Sequence, residues 1–353
     1  MFKEITIIGL GFMGASLAGA LKSLKADIVV NGLDVEQKNI DFCLKNNFVD
    51  RAVLLNQGIN NIHSAYNPKQ SDIAVLCIPP KIILKFLSVH KNFLSKFQLI
   101  TDIGSIKKEI VSTAKKTGLN NFIGSHPMCG SDKTGAENAD INMFLGKICI
   151  VIKEAGANGT YNVPAKNGDI AGDASGADKF YNLNTVNTDN TGINSADGSF
   201  NNKTCADIYN AEGGGSFFLQ NLFEKTACFW KTLGMEIVCA DAGFHDYMVG
   251  YSSHLPHVVS FCLSKTVLDA ADANQSLNSL KYIASGFKDT TRIAASSENI
   301  WTDIFLLNRD NLISSLDNYI DNLYKFKVFL ENNDEDALNT LIAKISKQRK
   351  TLS

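Results

Sequence analysis

Residues 9–14, with the sequence GLGFMG, have the glycine spacing of a turn that binds phosphate groups. An apolar run at 5–8 precedes them and a helical pattern at 15–24 follows. In such a turn the first glycine permits a tight bend, the second lets backbone approach a pyrophosphate, and the third lets helix pack on strand. The strand-and-helix context favours a dinucleotide site over a merely glycine-rich turn. The candidate cofactor-binding residues of this turn are Gly9, Gly11, Phe12, Met13 and Gly14.

Asp34 ends the predicted second strand, twenty residues after Gly14. A carboxylate at that place accepts hydrogen bonds from the hydroxyls of an adenosine ribose. It would repel a 2′-phosphate, and no arginine follows before Arg51 to take up that charge. The pattern therefore predicts NAD rather than NADP as the cofactor. The alternative is an aspartate that only caps the next helix.

Four further segments hold polar residues for which packing alone gives no reason. They span residues 102–107, 124–131, 245–257 and 286–292. The first two follow predicted strands, and ligands of doubly wound folds bind beyond the carboxyl ends of such strands. Ser105 and His126 are therefore predicted to face the nicotinamide.

The strands and helices that position these residues are predicted from short apolar runs that alternate with helical patterns. This alternation predicts βαβ units and a parallel, doubly wound sheet of the Rossmann type. A second part, helical throughout, follows from residue 242. The sequence predicts an NAD-binding domain at 1–241 and a substrate-binding and dimerisation domain at 242–353. The predicted strands lie at 5–8, 28–30, 73–78, 99–102, 122–123, 149–152 and 235–239.

A polar segment interrupts the first domain at 154–215, where Asn, Gly, Asp, Ala and Thr dominate and no periodicity survives. It falls between a predicted strand and a predicted helix at 217–233, where a compact fold uses a short connection. We expect the fold to close without this insert, so that a deletion variant stays folded and active.

The helical part carries a wide apolar face and a predicted last helix at 337–349, capped by Asn333 or Asp334. So much apolar surface on few helices predicts a homodimer, the alternative being a bundle closed within one chain. The apolar positions of that face are Ile304, Leu307, Leu312, Leu316, Tyr319, Ile320, Leu323 and Phe326.

Composition limits the classes of partner. The 353 residues include 34 basic and 36 acidic ones, so there is no charge excess to hold nucleic acid or an anionic membrane. No apolar run approaches the roughly 18 residues of a membrane span. The eight cysteines include no C-x-x-C pair, and several lie in apolar runs, which is typical of reduced core thiols. The sequence predicts a cytoplasmic protein with a small-molecule partner and no metal.

Taken together, the glycine turn and the four polar segments resemble the prephenate and arogenate dehydrogenase family. The resemblance lies in the S-H-P-M-x-G motif at 125–130, S-H-L-P-H at 253–257, and F-x-D-x-T-R-I-A from residue 287, followed by Trp301. It covers nearly all of the chain outside 154–215. It implies oxidation of prephenate by NAD with loss of carbon dioxide, giving 4-hydroxyphenylpyruvate for tyrosine biosynthesis.

The resemblance also implies roles for single residues. His126 corresponds to the catalytic histidine that accepts the proton of the substrate's 4-hydroxyl, and Ser105 to the serine between that hydroxyl and the nicotinamide. His254 and Arg292 correspond to the residues that bind the two carboxylates, and Ser131 is a further substrate-binding candidate. Cys129 departs from the pattern, since the family usually has alanine there.

Each role has a structural alternative. His126 could be a histidine bonded within a tight turn, His254 a helix residue satisfied by a backbone carbonyl, and Arg292 a partner of Asp289 or Glu298 in an ion pair. For His257 the alternatives are support of the site and packing.

At the level of function, arogenate in place of prephenate remains open, and so does an NAD-binding regulator that lacks activity. Other dehydrogenases with a helical second domain, such as 3-hydroxyacid dehydrogenases, lack the S-H-P-M-x-G motif and fit less well.

Overall fold

The computed structural model describes residues 2–24, 27–55, 62, 66–68, 73–130, 133–153, 217–273 and 279–352. The polar insert predicted at 154–215 and the candidate Ser131 lie outside these residues.

Within the described residues, the N-terminal part forms a five-stranded parallel sheet in the order β3-β2-β1-β4-β5. The chain moves outward from β1 in one direction and then restarts beside β1 in the other. Ligands of such sheets bind at this switch point, beyond the carboxyl ends of β1 and β4. The elements in chain order are β1 (Glu4–Ile8), α1 (Phe12–Ser23), β2 (Val29–Asp34), α2 (Gln37–Lys45), β3 (Arg51–Leu54), β4 (Ile73–Leu76), α3 (Pro80–Val89), α4 (Lys91–Leu94), β5 (Leu99–Asp102) and α5 (Lys108–Thr117).

Helices cover both faces of this sheet, and the period-2 alternation of its strands divides the core in two. Ile5 and Ile7 of β1 face one cluster together with α1 and α2, whereas Ile8 faces a second cluster with α3 and α5. Both faces are therefore dry, as the apolar runs predicted. The doubly wound class is confirmed.

A second sheet follows, in the order β6-β7-β8. The strand predicted at 122–123 is reduced to one bridge between Ile100 and Phe122. Pairing with β5 stops there because the backbone N–H of Ser125 donates to the side chain of Asp102 instead of to a strand carbonyl. The chain turns into β6, which runs antiparallel to β7. The elements are β6 (Ser125–Pro127), β7 (Ile148–Ile152), α6 (Phe217–Thr232) and β8 (Glu236–Ala240).

The remainder of the described chain is helical, as predicted. Asp334 caps the last helix by accepting the N–H of Ala337 at 3.0 Å, which confirms the predicted cap. No helix of the described chain combines the length and apolar character that a membrane span requires. The elements are α7 (Ala242–Val249), a π-helical turn (Gly250–His254), α8 (Leu255–Asp272), α9 (Ser285–Thr291), a 3₁₀ turn (Arg292–Ala295), α10 (Glu298–Leu307), α11 (Arg309–Glu331) and α12 (Glu335–Lys350).

Candidate active site

The glycine turn after β1 has the geometry that a pyrophosphate site needs. Gly9 has φ of +97°, and a Cβ there would lie 2.4 Å from the carbonyl oxygen of Cys77. A Cβ on Gly14 would lie 1.8 Å from the carbonyl oxygen of Gly9, so only glycine lets α1 pack this closely. A Cβ on Gly11 would meet no atom within 4 Å. The backbone at Gly11 is thus open to a ligand, at the N-terminus of α1.

Asp34 lies at the end of β2, where a ribose contact was predicted, but its carboxylate already has protein donors. It accepts the backbone N–H of Leu10 and of Glu36, the latter at 2.7 Å, and the side-chain amide of Asn39 at 3.3 Å. A carboxylate has about four acceptor positions, so a ribose hydroxyl would use what remains. Asp34 therefore fixes the glycine turn itself, and its contact with ribose stays a prediction.

His126 lies within β6, not in a loop after a strand as predicted, and it is buried. Its Nδ1 lies 2.8 Å from Nε2 of His245, and Nδ1 of His245 lies 2.7 Å from Oδ1 of Asp246. The Nε2 atom of His126 has no hydrogen-bond partner among the described residues. A buried chain of three side chains thus ends on the nitrogen that is free to meet a substrate.

Asp246 is itself held from the other side. The backbone N–H groups of Lys107 and Lys108 donate to its two carboxylate oxygens at 2.7 Å and 2.9 Å. These groups belong to the N-terminus of α5, where unpaired donors and the helix dipole favour a negative charge. Helix α7, which carries His245 and Asp246, is thereby fastened to the sheet domain.

A buried ion pair joins the segments of Ser105 and His126. The Lys107 ammonium group contacts Oδ2 of Asp102 and donates to the backbone carbonyl of Ser125 at 2.8 Å; both side chains of the pair are fully buried. Ser105 lies between Asp102 and Lys107, half-buried and without a hydrogen-bond partner among the described residues. The ion pair of Asp102 and Lys107 therefore connects the two segments that carry Ser105 and His126.

His254 lies at the end of the π-helical turn, buried against Trp301. Its Nδ1 lies 3.0 Å from the side-chain nitrogen of Asn308, and its Nε2 is buried without any partner. A backbone carbonyl does not satisfy it, so the structural alternative for His254 is wrong. An unpartnered buried polar atom of this kind is costly unless a ligand uses it.

Arg292 begins the 3₁₀ turn after α9 and is exposed. It forms no ion pair with Asp289, Glu298 or another described residue, so its guanidinium group stays available. Burial and, to a smaller extent, the charge of Arg292 lower the pKa of His257. His257 stacks on Trp301 with ring centroids 3.4 Å apart. No hydrogen bond joins Arg292 to His126 among the described residues.

The buried histidines are held neutral near pH 7. Burial, followed by the charges of His245, Lys107 and His254, holds the pKa of His126 well below its usual 6.5. Burial also lowers the pKa of His245, although Asp246 opposes the shift. For His254, burial lowers the pKa to about 4. A neutral imidazole can accept a proton, which suits His126 to general-base chemistry.

These shifts predict how stability depends on pH. A histidine whose pKa is lower in the folded than in the unfolded state takes up a proton on unfolding. The stability that the neutral form of His254 contributes is fully present above pH 6.5 and is lost as the pH falls toward 4. We expect the free energy of unfolding, measured by urea titration, to decrease as the pH falls over this range. In His254→Gln this decrease should be smaller than in the wild type by roughly 3 kcal/mol. An unchanged slope in this variant would show that His254 is charged in the folded protein.

Among the described residues, no group of three or more His, Cys, Asp or Glu side chains has metal-binding geometry. Burial raises the pKa of Cys129 to about 12, so its thiol is inert near neutral pH.

Sequence reasoning singled out the segment with His245 and Asp246 but gave neither residue a role. The signal available was a His-Asp pair within an otherwise apolar helix. Asn308 gave no signal, because an asparagine between two helices is an ordinary capping residue.

The fold and the site define a dinucleotide-binding dehydrogenase with a helical C-terminal part. Two family models match the chain: "Prephenate dehydrogenase, nucleotide-binding domain" over residues 17–160 and "Prephenate dehydrogenase, dimerization domain" over residues 241–344. Between them they cover most of the chain, which belongs to the prephenate dehydrogenase family.

Individual proteins of known sequence or structure agree with this assignment. The chain is 27% identical to the cyclohexadienyl dehydrogenase of Zymomonas mobilis, over 96% of this chain and 92% of that protein. It is 25% identical to the prephenate dehydrogenase of Lactococcus lactis, over 99% and 77%. Prephenate dehydrogenase from Aquifex aeolicus, solved with hydroxyphenyl propionate and NAD+, has a TM-score of 0.73 at 22% identity, over 100% and 99%. Arogenate dehydrogenase from Synechocystis has a TM-score of 0.62 at 22% identity, over 99% and 100%.

Proposed function

We propose that this protein is an NAD-dependent oxidoreductase that converts prephenate to 4-hydroxyphenylpyruvate and carbon dioxide in tyrosine biosynthesis. The observation that carries the proposal is His126, a buried neutral histidine whose Nε2 is free and whose strand lies beside the nucleotide-binding sheet. The open backbone at Gly11 and the carboxylate of Asp34 support NAD as the cofactor. The family assignment supports the same cofactor and reaction.

In the proposed reaction the protein positions the substrate and the cofactor and accepts one proton. NAD, when bound, supplies the acceptor for the hydride that leaves C4 of the substrate ring. His126 takes the proton of the C4 hydroxyl at Nε2, while Ser105 orients that hydroxyl. The bond between C1 and the ring carboxylate then breaks, and its electron pair makes the ring aromatic as carbon dioxide leaves. The phenolate oxygen takes the proton back, so no net proton is consumed.

Arg292 and His254 bind the substrate, and Ser131, which lies outside the described residues, is a further candidate. Arg292 offers a charged fork for the ring carboxylate. His254 is neutral, so it contributes a single N–H donor from its unpartnered nitrogen rather than a second positive charge. A carboxylate or carbonyl oxygen of the side chain of prephenate is its expected partner.

The deciding experiment measures NADH formation by purified full-length protein with NAD and either prephenate or arogenate. We expect fast turnover with prephenate and a lower kcat/KM with arogenate. A preference for arogenate would leave the chemistry at His126 intact and change only the substrate. Tight NAD binding without turnover of either substrate would support the regulator instead.

Replacing Arg292 should weaken substrate binding selectively. Arg292→Lys keeps the charge but loses the paired donors, and we expect the KM for prephenate to rise roughly 10- to 100-fold because a charge-assisted hydrogen bond contributes about 1.5–3 kcal/mol. The KM for NAD should stay within about twofold, as should both constants in the exposed control Arg309→Lys. Equal losses for prephenate and NAD would contradict the assignment.

We infer that the protein forms a homodimer through α11 and α12. The buried half of the predicted apolar face packs within the chain, as at Ile304 and Leu312. The other half stays exposed in the single chain, and the dimerization family model covers it as far as residue 344. An exposed apolar surface of this extent is typical of a subunit interface. Its exposed residues are Ile313, Ile320, Leu323, Tyr324, Phe326, Leu330, Ile342 and Ile345.

Charge placed on this face should separate the subunits. Ile320 and Leu323 are each 52% exposed, and in a two-fold interface each substitution occurs twice. We expect Ile320→Glu/Leu323→Glu to raise the dimer dissociation constant at least about 10²-fold in analytical ultracentrifugation. Lys325→Glu, roughly 160° around α11 from Leu323, is the matched control. A monomeric wild-type protein, or equal dissociation of the control, would contradict this interface.

We also infer residence in the cytoplasm. The cysteines of the described residues are unpaired. Burial raises the pKa of the thiols of Cys43 and Cys149, which act as small apolar side chains in the core, and of Cys77, which packs against it. Cysteines used in this way are typical of a reducing compartment.

A further inference from the structure

One residue outside the predicted site, Asp246, connects both histidines that face the substrate. Its carboxylate contacts His245, which contacts His126, and its backbone carbonyl accepts the side-chain N–H of Asn308 at 2.7 Å. Asn308 in turn lies 3.0 Å from His254. All of these side chains are buried, so water does not compete for their hydrogen bonds.

The first branch leads to His126 and admits one arrangement of protons. An ionised Asp246 only accepts, so Nδ1 of His245 must donate to it. Because burial keeps His245 neutral, its Nε2 then carries a lone pair and must accept from Nδ1 of His126. A neutral His126 with hydrogen on Nδ1 has a bare Nε2. The branch therefore prepares His126 as an acceptor.

The second branch leads to His254 and fixes the opposite arrangement. The amide nitrogen of Asn308 must face the carbonyl of Asp246, because two carbonyl oxygens would repel each other. Its oxygen meanwhile accepts from the side chain of Asn311 at 2.8 Å, which confirms this orientation. Nδ1 of His254 faces the same amide nitrogen and so must accept. The hydrogen of a neutral His254 then lies on Nε2, the buried atom without a partner.

We propose that Asp246, acting through His245 and Asn308, is a positioning residue that holds His126 as a proton acceptor and His254 as a hydrogen-bond donor. The inference rests on the proposed function for its kinetic consequences, but the two tautomers can be measured without any substrate. The carboxylate of Asp246, which sets the tautomer of His126, lies on the N-terminus of α5, whereas the backbone carbonyl of Asp246 in α7 sets that of His254. The sheet domain and the helical part therefore fix the site jointly.

The direct test is NMR of the ¹⁵N-histidine-labelled full-length protein with NAD bound. We expect hydrogen on Nδ1 of His126 and on Nε2 of His254 at pH 7.5. The same hydrogen position on both, or hydrogen on Nε2 of His126, would overturn the proposal whether or not the protein turns over prephenate. Turnover of neither substrate with the expected tautomers would instead reject the proposed function alone.

Kinetics of variants supply the second test. Asp246→Asn should lower kcat at least about 10²-fold, since loss of the orienting carboxylate of a serine protease costs about 10⁴-fold. Asn308→Ala should chiefly raise the KM for prephenate, by about tenfold. His245→Phe removes the acceptor for His126, whereas His245→Gln retains one and should restore most of the activity. Equal loss in the Phe and Gln variants would contradict a positioning role.

The pH profile separates positioning from mere support of the fold. Removing the charge of Asp246 makes the acceptor less basic, so the acid limb of kcat/KM should move to lower pH in Asp246→Asn. The other titratable groups that face the two histidines, Lys107, Asp102 and His254, remain in place. Asp241→Ala is the control, because Asp241 caps the same helix α7 without contacting either histidine. It should leave the limb unmoved.

A double variant completes the design. If His245 acts only through His126, adding His245→Phe to His126→Ala should lower kcat no further. A structural contribution of His245 would instead multiply the two losses. An unmoved acid limb in Asp246→Asn, or multiplied losses in the double variant, would overturn the proposal.

Discussion

His126→Ala should lower kcat by about 10²- to 10⁴-fold, the range that a positioned general base contributes. The reason is that Nε2 of His126 ends a buried chain of side chains and has no hydrogen-bond partner among the described residues, so it is the proton acceptor that the variant removes. The affinity for NAD should stay nearly unchanged, because the glycine turn and Asp34 lie on other strands. Stopped-flow measurement of NADH formation, with NAD binding by calorimetry, separates the two effects.

The control for this variant is Cys129→Ala, three residues further along the same segment. Cys129 is a buried thiol with a raised pKa, so its loss should leave kcat within about twofold. A kcat of His126→Ala within tenfold of the wild type would contradict its role as proton acceptor. In that case the hydroxyl proton would have to leave by way of water or Ser105.

The sheet domain was predictable because its signals are local. Parallel strands buried on both faces give continuous apolar runs, and the glycine turn obeys a fixed spacing between strand and helix. The prediction was wrong at 122–123, where the run Phe122-Ile123 has the composition of a strand. Its continuation fails because the side chain of Asp102, 23 residues earlier in the sequence, accepts the backbone N–H of Ser125. Such a competitor leaves no trace in the local pattern.

The candidate site was predictable in its parts but not in its connections. His126, His254 and Arg292 stand in motifs, and the resemblance of these motifs to the prephenate and arogenate dehydrogenase family implied their roles. That His254 is a neutral donor follows from burial and from Asn308, which lies 54 residues away in sequence. Hydrogen bonds over such distances depend on the three-dimensional packing of helices, which no periodicity encodes.

Lys107→Met should destabilise the protein by roughly 3–5 kcal/mol, the cost of leaving a buried charge without its partner. The ammonium group of Lys107 is fully buried against Asp102 and also holds the carbonyl of Ser125, beside His126. Lys22→Met breaks the exposed pair with Asp50 and should cost at most about 1 kcal/mol, so it serves as the control. Urea unfolding at pH 7, followed by circular dichroism, measures both.

The stability lost in Lys107→Met should depend on pH, because the carboxyl group of Asp102 then lacks its partner. Burial already raises the pKa of Asp102, and loss of the nearby ammonium charge raises it further. A carboxyl group whose pKa is higher in the folded state adds stability at low pH and loses it as the pH rises. The deficit of the variant relative to wild type should therefore shrink between pH 7 and pH 5. It should also shrink when Asp102→Asn is added, because the unpaired charge is then gone. A deficit that is constant with pH and additive with Asp102→Asn would mean that Lys107 stabilises the segment by packing alone.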